Sequence, residues 1–265
     1  MSAESLTTDL DHQLEQGTEL RKLAYLVVVA EHRGQFTRAH NLASALFYRS
    51  LQTHEAIEIL IKEKLPEDAS VLARVFVEQV VNCAYMLTVA DDQTVEDFVK
   101  YPKYARYRLL QDLKNIDEIR LRKSVSLEQE EEVRMESEAL RLQFKDRRNG
   151  EWCVDGPLHK RAAKVDDKFS EAFKKPYIEF RWLVNSEWRF AGSHVHGTAD
   201  TLLDQVSQVE GGITIEQKFD PVDAAAALYS ANFALVLVLP LVDSSLGGKN
   251  ASDISAQAKK FTGHE

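Results

Sequence analysis

The stretch EWRFAGSHVHGT, residues 187–198, gathers one arginine, one serine and two histidines within a dozen positions. On a helix ending at Gly197, a suitable glycine for the first residue past a helix end, Arg189 and Ser193 stand one turn apart. Ser193 and His196 are three residues apart, and Arg189 and His196 are two turns apart with a drift of about 20°. These three share one stripe, while His194 is directed toward its flank. Such a row suits phosphodiester chemistry. A histidine titrating near neutrality can move a proton to or from a ribose 2′-hydroxyl. An arginine fork can hold the phosphate and stabilise its developing charge. Ser193 is placed to donate to a phosphate oxygen or to orient His196. His194 and His196 diverge on a helix and no carboxylate stands at ligand spacing, so neither metal nor other cofactor is expected.

The same residues also admit a purely structural reading. LARVFVEQVVN places Arg74, Glu78 and Asn82 one turn apart on a strongly apolar helix. Glu78, expected to be buried among Val75, Val77, Val80 and Val81, would need a cation or donors. Pairing Glu78 with Arg189 or His196 would hold two helices in register with no catalysis. Exposure of His196 in a cleft favours chemistry, and burial against Glu78 favours the scaffold.

The elements that must position these residues read as helical almost throughout. Helical apolar spacing runs over about 9–33, then from Thr37 to Pro66, then through a strongly apolar segment to Val89. Residues 94–121, with Pro102 near the start, give another helix. SLEQEEEVRMESEALRLQFKDRR gives a long exposed one with Glu–Arg pairs at helical spacing. Residues 149–167 form the best loop candidate. Two helices follow, roughly 166–186 and 187–210. Ile213 and Ile215, alternating with Thr214 and Glu216, suggest a hairpin-like excursion near 212–218. Asp220 and Pro221 launch a last core helix as N-cap and first residue. The expectation is an all-α bundle of seven to eight helices with at most that small β excursion. It forms a single domain over 1–246, followed by a mobile tail over 247–265.

Composition narrows the class. The chain has 265 residues, 44% hydrophobic and 28% charged, with net charge −9. That composition buries a core and argues against a wide nucleic-acid footprint, though not against a local basic pocket. The basic islands KDRR (145–148) and HKRAAK (159–164) read as solvated loop faces. Two cysteines, Cys83 and Cys153, in no metal pattern fit a reducing cytoplasm. The run at 224–239 is too short for a membrane span and contains Ser230 and Asn232, so a buried helix and no membrane partner are expected. Walker, GxGxxG and GxSxG motifs are absent.

LARVFVEQVVNCAYML, WRFAGSHVHGT and DPVDAAAALYSANFALVLVL together resemble a bacterial helical family, domain of unknown function 5677, over about residues 36–240. Trp188 stands where that family more often has tyrosine. Its pattern puts Ser193 and His196 in matching roles but brings no settled activity. A looser similarity is to HEPN-type ribonucleases of toxin–antitoxin and phage-defence systems, helical bundles with an Arg-x(4–6)-His motif. Arg189 fits that spacing to His194 with four intervening residues and to His196 with six. The residue after the arginine, often polar there, is Phe190. That resemblance implies metal-independent cleavage of RNA by a homodimer, with a cognate antitoxin or defence protein as partner. His196 would be the acid/base and Arg189 the phosphate clamp.

Overall fold

The computed structural model describes residues 3–29, 36–114, 126–144, 152–196, 206–209, 212–215 and 219–262. In chain order the elements are α1 (Ala3–Val29), α2 (Arg38–Lys62), α3 (Pro66–Thr88), α4 (Asp92–Lys114), α5 (Leu127–Phe144), α6 (Leu158–Phe173) and α7 (Glu179–His196). Then come β1 (Val206–Val209), β2 (Gly212–Ile215), α8 (Pro221–Ser245) and α9 (Ala251–Thr262). The fold is all-α, with one antiparallel hairpin among the described residues, Val206 opposite Ile215 and Val209 opposite Gly212. Contacts divide the chain into two compact units, residues 1–89 with 161–265, and residues 90–160.

Local chemistry sets the helix starts in the first unit. Thr37 and His40 form a capping box before α2, Thr37 Oγ1 accepting from the His40 amide and His40 Nδ1 accepting from the Thr37 amide. Pro66 sits in the first turn of α3 beside Glu67 and Asp68, where the helix dipole favours acids. Asp220 caps α8 as expected, accepting from the Val222 amide at 2.7 Å ahead of Pro221. α3 packs against α2, α7 and α8, and α8 also packs against α1 and α9. Phe47, Leu51, Ile57, Phe76, Leu183, Leu228 and Leu235 are fully buried where these helices meet. α3 and α8 are long and apolar enough to cross a membrane by length and composition, and 56% of each apolar window is buried inside the protein.

In the second unit, α4 is laid on α5. Phe144 is fully buried and meets Tyr101 and Tyr104 at ring distances of 5.6 and 5.4 Å. Phe98 stands edge-on to Trp152 at 4.7 Å. α5, expected to be an exposed helix, buries Leu140 and Phe144 at its end.

Several boundaries differ from expectation. The loop lies not near 186 but between Phe173 and Glu179, where Lys174 takes φ 53° and Pro176 prevents continuation. β2 falls within the excursion expected near 212–218, while its partner β1 lies in the segment expected to close the helix over 187–210. The expected mobile tail contains α9, whose Ile254 is buried and whose Phe261 meets Tyr229 of α8 at 5.5 Å. Gly247 and Gly248 supply the positive φ values, 118° and 66°, that turn the chain out of α8 and into it.

Candidate functional site

Helix α7 positions the Arg/Ser/His row. Asp166 of α6 anchors its start, with Oδ1 accepting from the Phe180 amide at 3.0 Å and Oδ2 from the Arg181 amide at 2.9 Å and Nε at 3.0 Å. Burial nevertheless raises the Asp166 carboxyl above its ordinary value, these donors opposing the rise. From there the helix is unbroken to His196. Its buried stripe is Phe180, Leu183, Val184 and Glu187, while Trp182 is 45% exposed and Asn185 is exposed. Positions 189, 193 and 196 follow Trp182 by seven, eleven and fourteen residues, so at about 100° per residue they stay on its stripe. Position 194 follows Glu187 by seven and so shares its register. The side chains of Trp188, Arg189, Ser193, His194 and His196, and all of Gly197, lie outside the described residues.

Glu78 corrects the sequence reading: it is exposed, one turn from Val75, which is itself 42% exposed. Helix α3 is therefore not surrounded; Val75 and Glu78 share an outward stripe while Ala73, Phe76, Val77, Val80 and Val81 are buried. Glu78 thus creates no demand for a buried counter-ion. The acid that does occupy this junction is Glu187, 2% exposed on α7. Burial pushes its carboxyl up to about 7, against a hydrogen bond from Ser230 of α8 and the positive charge of Arg74 on α3. Asn82, one of the other expected supporting residues, is buried, and its Oδ1 has no hydrogen-bond partner among the described residues. Of the residues the sequence singled out, Arg74 is thus brought to an acid, but to Glu187 rather than Glu78.

A second polar centre went unrecognised in the sequence. His54 and Glu58 of α2 are 0% and 1% exposed. Arg21 of α1 donates from Nη2 to Glu58 Oε2 at 2.8 Å, and Thr18 adds a bond at 3.2 Å. His54 Nδ1 lies 3.3 Å from Glu58 Oε1, off the line of a good hydrogen bond, so the contact is an ion-pair approach. Burial would raise the Glu58 carboxyl, but His54 and Arg21 outweigh it and hold it down to about 2. Across the ring, His54 Nε2 meets Asn232 Oδ1 at 2.9 Å, and Asn232 Nδ2 donates to the Gln13 carbonyl at 3.0 Å. The carbonyl can only accept, which orients the amide and makes Nε2 the donor. Both centres were legible as polar residues on apolar stripes: His54 and Glu58 at i and i+4 between Leu51 and Ile61, and Glu187 seven after Phe180.

Residues 40–213 match a protein family described only as a family of unknown function, domain of unknown function 5677. The chain belongs to that family. The span covers about two thirds of the chain, and it includes Arg74, Glu78, Asn82, Glu187 and the Arg189–His196 row. It leaves out α1, α8 and α9, and with them Arg21, Ser230 and Asn232. No curated protein and no solved structure matches this member of the family. Among the described residues no group of three or more His, Cys, Asp or Glu is arranged to hold a metal.

Proposed function

We propose that this family member is a metal-independent endoribonuclease of HEPN-like type, acting as a cytoplasmic homodimer in a toxin or phage-defence module and held in check by a cognate partner protein. The observation that supports it is helical register. By register, positions 189, 193 and 196 fall on the side of α7 that carries Trp182, 45% exposed and edge-on to Phe233 of α8, away from buried Phe180, Leu183 and Glu187. Glu78, being exposed, does not require Arg189 or His196 as a buried counter-ion. His196 takes the proton of a ribose 2′-hydroxyl as its oxygen attacks the adjacent phosphorus. The bond from phosphorus to the 5′-oxygen breaks, and the proton passes to that oxygen. Arg189 holds the phosphate oxygens through the transfer, and Ser193 donates to one of them. Of the two histidines, His196 is the assigned acid/base, because position 194 lies on the stripe of Glu187.

Purified full-length protein with unstructured RNA and excess EDTA tests this. Cleavage leaving 2′,3′-cyclic phosphate ends is expected, with a 100-fold or greater loss in His196→Ala, of the order that general acid–base catalysis contributes. RNA left intact by wild type at all protein concentrations sinks the proposal.

A second reading, a non-catalytic interaction or ligand-binding scaffold, draws on the Arg21–Glu58–His54–Asn232 network. That network links α1, α2 and α8 through buried polar side chains. On that reading His196→Ala changes stability and leaves every RNA assay unaffected.

A further inference from the structure

Helix α4 in the second unit carries a repeat at period three: Lys100-Tyr101, Lys103-Tyr104 and Arg106-Tyr107, followed by Arg108. No acid falls between Phe98 and Gln111, in a chain whose net charge is −9. The structure separates the two halves of the repeat. Tyr101 and Tyr104 turn inward onto buried Phe144. Lys103 and Arg106 are exposed, beside Val99 at 41% and Leu109 at 58%. A three-residue step falls short of a helical turn by about 60°, so the cations wind slowly along the outside of α4 and cover about 9 Å of its axis from Lys100 to Arg106. Lys100 is paired with Glu96 at 2.8 Å, with both side chains about 40% exposed, a contact that a phosphate can displace.

We infer that this outer stripe of α4, centred on Lys103 and Arg106, binds the phosphodiester backbone of single-stranded RNA, a site separate from the Arg189 row. The inference rests on the ribonuclease reading for the identity of the polyanion, and on charge and exposure for the place. A line of cations without base-edge donors recognises phosphates irrespective of sequence. The apolar residues outside are single side chains among cations, because the aromatic face is spent on Phe144, so a lipid surface is the poorer fit. Neighbouring α5 carries exposed Glu128 and Glu131, with Glu131 held by Arg134, and neutralising such acids is the rival role for the stripe.

The test uses the full chain and a fluorescein-labelled 2′-O-methyl oligouridylate, which lacks the hydroxyl needed for cleavage, titrated by anisotropy over a KCl series. Lys103→Glu/Arg106→Glu should weaken binding by about tenfold or more. The slope of log affinity against log salt should fall by about 1.4, two single-strand contacts at about 0.7 each. Lys103→Gln/Arg106→Gln, which avoids placing new acids beside α5, should give the same slope change with an unaltered melting temperature. Unchanged affinity and slope in both variants overturns the inference. So does a lowered melting temperature with unchanged affinity, which assigns the stripe to α5, or binding to anionic vesicles with none to the oligonucleotide. The two proposals fail separately. Loss of the salt slope in the variants, with natural RNA left uncut by wild type, keeps the stripe and removes the nuclease; RNA cleavage by wild type with variants that bind normally does the reverse.

Discussion

At the scale of single residues, the two buried carboxyls respond to pH in opposite directions. Glu187 is pushed from the ordinary 4.5 up to about 7, so the folded chain holds a proton that the unfolded chain releases. Its contribution is full below about 4.5 and is lost as pH rises through about 7, by at most ~3 kcal/mol. Glu187→Gln keeps the shape and cannot ionise. Urea denaturation at pH 5 and pH 8 should therefore show the variant gaining on wild type at the higher pH, and an equal difference at both values refutes the burial argument. Glu58 is the reverse case, held down to about 2, so its contribution is present above 4.5 and lost as pH falls through about 2. Removing the acid in Glu58→Ala leaves Arg21 and His54 without their shared anion. A cost of about 3–5 kcal/mol at pH 7 is expected from the urea midpoint. Neither residue was picked out in the sequence, where an acid on an apolar stripe drew less notice than the dense polar row after Glu187. Glu78 drew too much, because an acid among valines reads as buried whichever side of the helix it is on. Only the neighbours of α3 reveal which stripe faces out.

At the scale of elements, a helix start was legible where a cap marks it and not elsewhere: α6 begins at Leu158, inside the loop expected over 149–167, and α7 at Glu179 rather than near 187. Asp220 with Pro221 marks the start of α8 through a cap that depends on a few adjacent residues. The stop after Phe173 was missed although Pro176 stands three residues beyond it, because the apolar spacing resumes at Phe180 and bridges the gap. Close approach between elements was not legible at all. Gly17, inside α1, lies so near Asn232 of α8 that a β-carbon there would overlap Asn232 Oδ1 and press on its side-chain carbon at 3.1 Å. By helix propensity alone, Gly17→Ala should stabilise α1 by about 1 kcal/mol. The expected outcome is instead a loss, because Asn232 is pinned by His54 and the Gln13 carbonyl and cannot retreat. A thermal melt shows which effect wins. A raised melting temperature would mean that the amide shifts without cost.

At the scale of the whole molecule, the family span and the folding unit are different objects. Residues 40–213 begin inside α2 and end in β2. Within the first unit, however, α3 is packed between α2, α7 and α8, and α8 is supplied by residues 221–245. Leu228, Ala231, Ala234, Leu235, Val238 and Leu239 of α8 are all 0% exposed. At about 1.5–3 kcal/mol for each fully buried large aliphatic side chain, removing the four leucines and valines among them takes away roughly 6–12 kcal/mol. That is comparable with the whole net stability of a typical domain, about 5–15 kcal/mol. The loss of α1 adds a second defect, since Glu58 would keep His54 but lose Arg21 and Thr18. The segment 40–213 expressed alone should therefore lack a cooperative unfolding transition and bind a hydrophobic dye, whereas residues 1–262 should melt cooperatively. Restoring 214–262 to the segment returns α8 and the partner of His54 but not Arg21. It should give a folded protein destabilised by several kcal/mol, and most strongly at neutral pH, where Glu58 is ionised. Cooperative unfolding of 40–213 on its own would show that α2, α3 and α7 close a core without α8, and that the apolar helix outside the family span is an accessory to this fold.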